Sequence, residues 1–403
     1  MKEKQTVPFS HQVGALLLVT GACIGGGMLA LPVDVGVSGF IPSLAIMAIC
    51  WAFMTCTGLL IVEANLWMEE GAHVMTMATR FLGLPGKIIS AILFLFMGYG
   101  SLIAYNAAGA ELIMSTLRGL LGYEVAYWEG CIIFAAIFGL MLYLGTHVIG
   151  RINSLLVIGM IIAYFFMTGL GFPEVDHSLL AERNWGKGFF AIPLVIATFS
   201  YQMIVPSLTP YLKRNPEAMR RCVFWGTTIP FIVYGVWQAI VLGIVPLEGT
   251  YGLNAALAGG KPATWSLRHF VESPVLAYSA DFFGFFALVT SYLAIALGTY
   301  DFISDSARIP NVGFGKIVLG LIVVIPTLLF SIKYSNAFIT ALSITGGFGD
   351  SILNGLIPVS MVWIGRYRLR IEGPYTVGGG KLLLTFLATF AGIIITYQIL
   401  DLI

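Results

Sequence analysis

A run of small residues interrupts the first long apolar stretch of the chain, which extends from about Ser10 to Gly36. Four glycines lie in this run, close to the middle of the stretch. Each glycine destabilises a helix interior by roughly 1 kcal/mol relative to alanine, so the run predicts a broken helix. Its residues are Thr20, Gly21, Ala22, Cys23, Ile24, Gly25, Gly26 and Gly27.

Composition places this stretch in a membrane. Of the 403 residues, 58% are hydrophobic and 10% are charged, whereas about a quarter of the residues in an ordinary soluble domain are charged. Irregular backbone at membrane depth is tolerated only where it is buried in protein or lines a cavity, so the break predicts a binding site. The net charge of +1 gives no indication of a nucleic-acid partner, and none is expected.

About 20 apolar residues are needed for each crossing, and the chain divides into eleven predicted spans. The first span is too long and too rich in glycine for a signal peptide, so it is expected to stay as helix 1. We predict an all-α polytopic membrane protein with a single domain over residues 1–403. The spans cover approximately residues 10–36, 40–68, 87–117, 127–146, 151–172, 186–212, 220–245, 275–304, 315–332, 335–364 and 381–402. Between spans 2 and 3, residues 71–83 form either an interfacial helix or a solvated loop.

Basic residues are distributed unevenly over the predicted loops. With a cytoplasmic N-terminus, fifteen of the 21 Lys and Arg residues lie on the inner side, as the positive-inside rule requires. An odd number of spans then places the C-terminus outside. The six basic residues on the outer side are Arg118, Arg183, Lys187, Lys261, Arg268 and Lys333.

A second interruption is predicted near Phe199 in span 6, which is 176 residues after Cys23. Polar residues occupy the middle of this span and Pro206 and Pro210 follow; a proline removes a backbone donor and clashes with the preceding turn. A kinked but continuous helix is the alternative. Because five spans separate the two centres, the second copy enters the membrane from the opposite side, as in an inverted repeat. The two halves are approximately residues 10–172 and 186–364, and residues 381–402 stand outside the repeat.

The two breaks together predict a receptor for a zwitterion. Carbonyl ends of half-helices suit an ammonium group or a small cation, and amide ends suit a carboxylate. No ionised side chain is needed for an α-amino acid in such a site. The candidate substrate-binding residues are Gly21, Ala22, Cys23, Ile24, Gly25, Gly26, Gly27, Tyr105, Asn106, Phe199, Ser200, Tyr201 and Gln202.

Acidic residues inside spans are rare and usually functional. Asp350 is the deepest of them and is flanked by glycines, so it is either a gating or proton-carrying element or a paired structural acid. The others lie nearer to an interface, where a snorkelling side chain or a surface ion pair is expected. They are Glu63, Glu111, Asp281 and Asp301.

The coupling ion is left open by the residues alone. Thr290 and Ser291 at the centre of span 8, with the Ala22 carbonyl, either ligate sodium or bond the carbonyls four residues earlier in their own helix. The five histidines lie at helix ends or in loops and predict no metal or catalytic cluster, so neither an enzyme nor a cofactor is expected.

Several motifs resemble the hydroxy and aromatic amino acid permeases, which are bacterial relatives within the amino acid/polyamine/organocation superfamily. The likeness covers nearly the whole chain and is greatest to the tyrosine-specific and tryptophan-specific branches. The resemblance implies a leucine-transporter-like fold in a bacterial inner membrane and proton-coupled import. The motifs are Gly21–Pro32, Val205–Leu208, Ile229-Pro230 through Trp237-Gln238, and Val289–Ser291 through Gly298 with Asp301-Phe302.

The sequence thus predicts a secondary active transporter that imports tyrosine or tryptophan with a proton, with alternating access around a midplane site. Sodium-coupled symport of an aromatic or other neutral amino acid is the alternative. A channel or a non-transporting sensor is less favoured, because the chain offers two breaks at one depth and no continuous polar pore. The partners expected are the amino acid and membrane lipid, and the sequence does not specify an oligomeric state.

Overall fold

Helices account for all the regular structure in the computed structural model, which describes residues 7–144, 146–271 and 273–402. Within these ranges there is no β-strand. Lys2 and Lys4, which contribute to the predicted inner charge, lie outside the described residues, as do the side chains of His147 and Arg151. The α-helices are α1 Phe9–Cys23, α2 Leu31–Asp34, α3 Phe40–Leu66, α4 Val74–Leu121, α5 Tyr127–Leu144, α6 Thr146–Gly171, α7 Ile192–Thr198, α8 Val205–Tyr211, α9 Pro216–Ile244, α10 Leu253–Ala258, α11 Ala263–Phe270, α12 Pro274–Ala307, α13 Phe314–Lys333, α14 Ala337–Ile344, α15 Ile357–Trp363 and α16 Gly380–Leu402.

The described residues include nine helices long and apolar enough to cross a bilayer. The bent pair Phe9–Cys23 and Gly26–Ser38 makes ten when it is counted as one span. The apolar helix over Tyr127–Tyr143 is shorter, with fewer than 18 residues. The count of eleven spans includes this helix and stays a prediction.

Local sequence explains several helix boundaries. α9 begins at Pro216, where the side chain of Asn215 accepts a hydrogen bond from the N–H of Ala218 at 3.0 Å. Proline in a first turn loses no hydrogen bond, and an N-cap side chain satisfies a donor that the helix leaves free. In α4, Gly83 has a positive φ of 71°, so the segment before it is a short helix joined through a kink. Residues 74–82 are therefore helical rather than a loop, and their position at the membrane interface stays a prediction.

The loop between α9 and α12 departs from expectation. The sequence predicts no helix there, but α10 and α11 lie in it. α11 is amphipathic and buries Thr264, Ser266 and Leu267 against the rest of the protein. Its hydrophobic residues are too few to register as a span, which is why a search for long apolar stretches misses it.

The interior is built around α9 and α12, with the most exposed helices at the periphery. Trp237, Tyr234 and Tyr292 are the largest side chains that are fully buried. In the most apolar stretch of α6 and of α13, by contrast, only 22% of the residues are buried, as expected for helices that face lipid. Between α14 and α15 the chain forms π-helical turns over Thr345–Leu356, which widen the helix at its glycines.

Candidate binding site

The first break lies inside the glycine run. α1 ends at Cys23, Gly25 is fully extended with φ −166°, and the chain bends by 46° before it continues. The part of the first span that follows the break is not a regular α-helix, because two 3-10 turns, Gly26–Leu29 and Gly36–Ser38, flank the four residues of α2. Peptide dipoles therefore do not add up along a long axis there, and individual N–H groups are the donors available to an anion.

Two neighbouring helices approach the backbone of this break closely. The N–H of Gly26 donates a hydrogen bond to Ser291 Oγ of α12 at 2.9 Å. A Cβ atom at Gly26 would lie 2.8 Å from the ring of Tyr105 in α4, and one at Gly25 would collide with the Ser291 hydroxyl. A side chain at either position would therefore require the Ser291 hydroxyl or the Tyr105 ring to move.

The second break separates α7 from α8. Residues 199–201 are not helical, and Gln202–Ile204 form a 3-10 turn before Val205 and Pro206 begin the next helix. The Gln202 side chain donates to the Met54 carbonyl at 3.1 Å and to Thr57 Oγ1 at 3.2 Å, both in α3. The Tyr201 hydroxyl donates to the same Met54 carbonyl at 3.2 Å. Both candidate side chains are buried and fasten the break to α3.

One residue that the sequence did not single out joins the two breaks. The hydroxyl of Tyr234 in α9 lies 2.6 Å from the carbonyl oxygen of Cys23 and 2.9 Å from that of Thr198. Three residues further along α9, Trp237 Nε1 donates to the carbonyl of Met28 at 2.9 Å. Trp237 belongs to the motifs of the family resemblance, whereas Tyr234 carries no local signal because it stands in a regular helix, 211 residues from Cys23.

Asp350 lies next to the second break. It is 1% exposed in the π-helical turns, and Asn354 Nδ2 donates to its carboxylate at 2.6 Å. The same amide nitrogen lies 3.1 Å from Ser200 Oγ, and the Ser200 hydroxyl is also close to the carboxylate. None of the ion pairs between described residues includes Asp350. The structure therefore brings Asp350 and Ser200 together through Asn354.

The other candidates have different positions. Phe199 is fully buried and packs edge-on against Tyr234, with 5.2 Å between ring centroids. Asn106 points away from the breaks and donates to Ser331 Oγ of α13 at 2.6 Å. Gly21 and Ala22 lie on an exposed part of α1, one turn before the break. Tyr105 and Asn106 therefore differ in role although they are adjacent, because neighbouring residues on a helix point in different directions.

The two hydroxyls proposed as sodium ligands are both engaged. Thr290 Oγ1 donates to the carbonyl of Phe286, four residues earlier, at 2.8 Å. Ser291 accepts from Gly26, as described above. Among the described residues, no group of three or more His, Cys, Asp or Glu side chains is arranged to hold a metal ion.

A cavity of about 590 Å³ lies between α4, α11 and α12, near the first break. Three residues of α12 line it: Asp281, Gly284 and Leu288. The last two also lie near the break: Leu288 Cδ2 is 3.1 Å from the position of a Cβ on Gly26, and Gly284 lies beside Leu29. The rim carries both signs of charge, including an ion pair of 2.5 Å between Lys261 and Glu111. Its other charged residues are Arg118, Glu124, Arg268 and Asp281.

Glu63 differs from the expected surface acid. Its side chain is fully buried, and it forms an ion pair with both Nε and Nη2 of Arg366, the former at 2.6 Å. The N–H of Val377 donates to the same carboxylate at 2.7 Å. The prediction was wrong because residues 369–379 fold over this end of α3, and a span boundary gives no information about such a cover.

Comparisons with known proteins cover almost the whole chain. A family model described as "Tryptophan/tyrosine permease family" matches residues 10–398. "Tyrosine-specific transport system 1" of Haemophilus influenzae is 32% identical over 390 residues, which is 95% of each chain. The "Tryptophan-specific transport protein" of the same organism is 26% identical over 96% of this chain and 95% of its own length. The "Low affinity tryptophan permease" of Escherichia coli is 27% identical, with 91% and 90% covered.

Proposed function

The chain belongs to the tryptophan/tyrosine permease family, and from this membership we propose that it imports tyrosine, tryptophan or both across a bacterial inner membrane. It is a transport permease and not an enzyme. The observation that carries the proposal is the meeting of two helix breaks at one point, the Tyr234 hydroxyl. A zwitterion needs donors and acceptors side by side, and helix breaks offer both without an ionised side chain.

In this proposal the ammonium group of the substrate binds beside the Tyr234 hydroxyl, at one of the two carbonyls of Cys23 and Thr198. The carboxylate faces the amides of Gly25 and Gly27, with the Tyr105 hydroxyl beside them; this phenol already lies close to the Gly27 backbone. Phe199 and Tyr105 supply aromatic surface for the side chain of the substrate. Tyr201 and Gln202 hold the second break in place through α3 rather than contact the substrate.

For the architecture we propose eleven spans, with spans 1–5 and 6–10 as an inverted repeat and α16 as an additional helix. The two breaks, the 34 residues of α12 and the length of the part of α4 that follows the Gly83 kink support this arrangement. Access alternates by rocking one group of helices against the other around the breaks. The cavity between α4, α11 and α12 is then the path from the outer side, with the N-terminus in the cytoplasm and the C-terminus outside.

The proposed coupling ion is the proton, carried by Asp350. A buried carboxylate without a cationic partner is strongly disfavoured, so a carboxyl group in this position favours binding a proton. Asn354 and Ser200 connect it to the second break. Sodium coupling stays the alternative: Thr290 Oγ1 donates to its own helix and Ser291 Oγ accepts from Gly26, and each hydroxyl oxygen keeps a lone pair for a cation.

Purified protein in liposomes tests the proposal. An inward proton gradient should drive accumulation of labelled tyrosine or tryptophan in sodium-free buffer, and an uncoupler should abolish it. A competition panel of the twenty amino acids then identifies the substrate. Accelerated entry of label against unlabelled substrate inside distinguishes a carrier from a channel. Uptake that requires sodium and ignores the uncoupler would transfer the coupling role to Thr290 and Ser291, and absence of any aromatic amino acid transport would reject the function.

A further inference from the structure

Tyr234 occupies an unusual position for a fully buried phenol. Its hydroxyl contacts the final carbonyl of α1 at 2.6 Å and the final carbonyl of α7 at 2.9 Å. The last carbonyls of a helix have no partner within the helix, and a buried carbonyl without a donor is unfavourable. The hydroxyl therefore serves the ends of two different helices, each of which stops at a break.

The Tyr234 hydroxyl has fewer protons to donate than there are carbonyl acceptors around it. A phenol hydroxyl has a single proton, so it donates to one of the two carbonyls at any moment. The other carbonyl keeps an unused acceptor position. An ammonium group has three N–H donors and carries the charge that such carbonyl ends favour.

We propose that Tyr234 is the positioning residue of the ammonium subsite, which deepens the function proposed above and rests on it. In the empty permease its hydroxyl holds the Cys23 and Thr198 carbonyls at a separation that one donor group can bridge. When substrate enters, the ammonium takes one carbonyl and the hydroxyl keeps the other. Tyr234 thereby fixes the two halves of the site relative to each other, and selects for an α-amino group.

The test compares two competitors of labelled tyrosine uptake: tyrosine itself and its analogue without the α-amino group, 3-(4-hydroxyphenyl)propionate. Tyr234→Phe should raise the KM for tyrosine about tenfold, because the carbonyls lose the neutral hydrogen bond that sets their separation. The inhibition constant of the analogue should change by less than about twofold, since it has no ammonium group to position. For a tryptophan-specific permease, tryptophan and indole-3-propionate replace this pair.

Two other tyrosines are matched controls. Tyr292 is fully buried, and its hydroxyl has no hydrogen-bond partner among the described residues, so Tyr292→Phe should leave both constants unchanged. Tyr164 donates to one carbonyl, that of Val233, at 3.0 Å. Tyr164→Phe therefore measures how far the two constants change when a tyrosine loses a single hydrogen bond to a backbone carbonyl. An unchanged KM in Tyr234→Phe, or equal weakening of both competitors, would overturn the proposal.

A measurement on the unmodified protein removes any dependence on folding of the variant. Tyrosine with a trimethylated ammonium keeps the charge but has no N–H donor, so it should fail to compete. Competition as strong as that of tyrosine would overturn the proposal. If no aromatic amino acid competes or is taken up by the unmodified protein, the proposed function itself is rejected, and this outcome is distinct from a failure of Tyr234 alone.

Discussion

Gly25 and Gly26 are constrained by limited space rather than by a need for conformational freedom. Gly25 has φ −166°, which is extended backbone that any residue adopts. The constraint comes from Ser291 and Tyr105, which occupy the positions where a side chain would begin. Glycine in this break therefore allows α12 and α4 to pack closely against the backbone of residues 25–26.

Gly25→Ala should abolish uptake, because the added methyl group displaces the Ser291 hydroxyl and with it the bond to Gly26. Gly21→Ala is the control from the same run, since no described atom lies within 4 Å of a Cβ at that position. Uptake of labelled tyrosine or tryptophan is compared at equal amounts of folded protein in the membrane, measured by size-exclusion profile. Normal transport by Gly25→Ala would contradict the model of the site.

Asp350→Asn should uncouple transport from the proton gradient. Asparagine preserves the shape and hydrogen bonding next to Asn354, but it does not bind or release a proton. Gradient-driven accumulation should fall to the equilibrium level, whereas exchange of internal for external substrate continues. Asp301→Asn, at an exposed acid of the same family motifs, should leave accumulation unchanged. Full accumulation by Asp350→Asn would exclude Asp350 as the proton carrier.

What the sequence predicts about the site depends on the kind of signal each residue leaves. Gly25 and Gly26 violate helix propensity locally, so their importance is visible along the chain. Tyr234 lies in a regular helix and breaks no helix propensity. Its importance comes from hydrogen bonds to the carbonyls of Cys23 and Thr198, which are distant in sequence. The directions of Gln202 and Asn106 depend on helix rotation and packing, which a span prediction does not fix.

The glycines near Asp350 allow neighbouring helices to pack closely against this segment. A Cβ at Gly346 would collide with the backbone carbonyl of Pro193 in α7, and Gly347 packs in the same way on Gln398 of α16. These glycines let three helices meet closely around the π-helical turns. At the other end of this segment, Arg366 pairs with Glu63 and donates to the Val377 carbonyl at 2.8 Å, so α3, the end of the segment and the following loop are tied together.

Arg366→Met should strongly destabilise the protein. It leaves the Glu63 carboxylate, which is 0% exposed, without its cation, and breaking a buried pair from one side costs about 3–5 kcal/mol. The double variant Glu63→Gln/Arg366→Met should recover most of the stability because no charge remains unpaired. Arg221→Met is the control: its pair with Glu217 is exposed and contributes about 1 kcal/mol or less.

Thermal unfolding in detergent measures these differences. The expected order of midpoints is the unmodified protein and Arg221→Met highest, the double variant next and Arg366→Met lowest. A single variant as stable as the control would show that Glu63 finds another partner or that water reaches it.

At the scale of the whole molecule, the structure agrees with the sequence prediction where hydropathy determines the helices and agrees less well elsewhere. The long apolar helices and the interruptions of the first and sixth predicted spans lie where apolar length and glycine or proline indicate. α10, α11 and the cover over Glu63 were not predicted, since short amphipathic or polar segments acquire their structure from contacts with distant parts of the chain. The sidedness of the membrane is a property of the whole charge distribution, and it stays a prediction.

Cysteine labelling tests both the sidedness and the access path. Ser115 lines the cavity between α4, α11 and α12, and Arg220 is an exposed residue at the start of α9, on the predicted inner side. A membrane-impermeant maleimide added to intact cells should label Ser115→Cys but label Arg220→Cys only after permeabilisation. The native cysteines are buried or half-buried, which keeps the background low.

Saturating substrate should slow the labelling of Ser115→Cys, because a loaded site favours closure of the path through which the reagent enters. The reverse pattern, with Arg220→Cys labelled in intact cells, would invert the predicted orientation. Labelling of Ser115→Cys at the same rate with and without substrate would separate this cavity from the transport path. The substrate would then have to reach the two helix breaks from the outer side by a route other than this cavity.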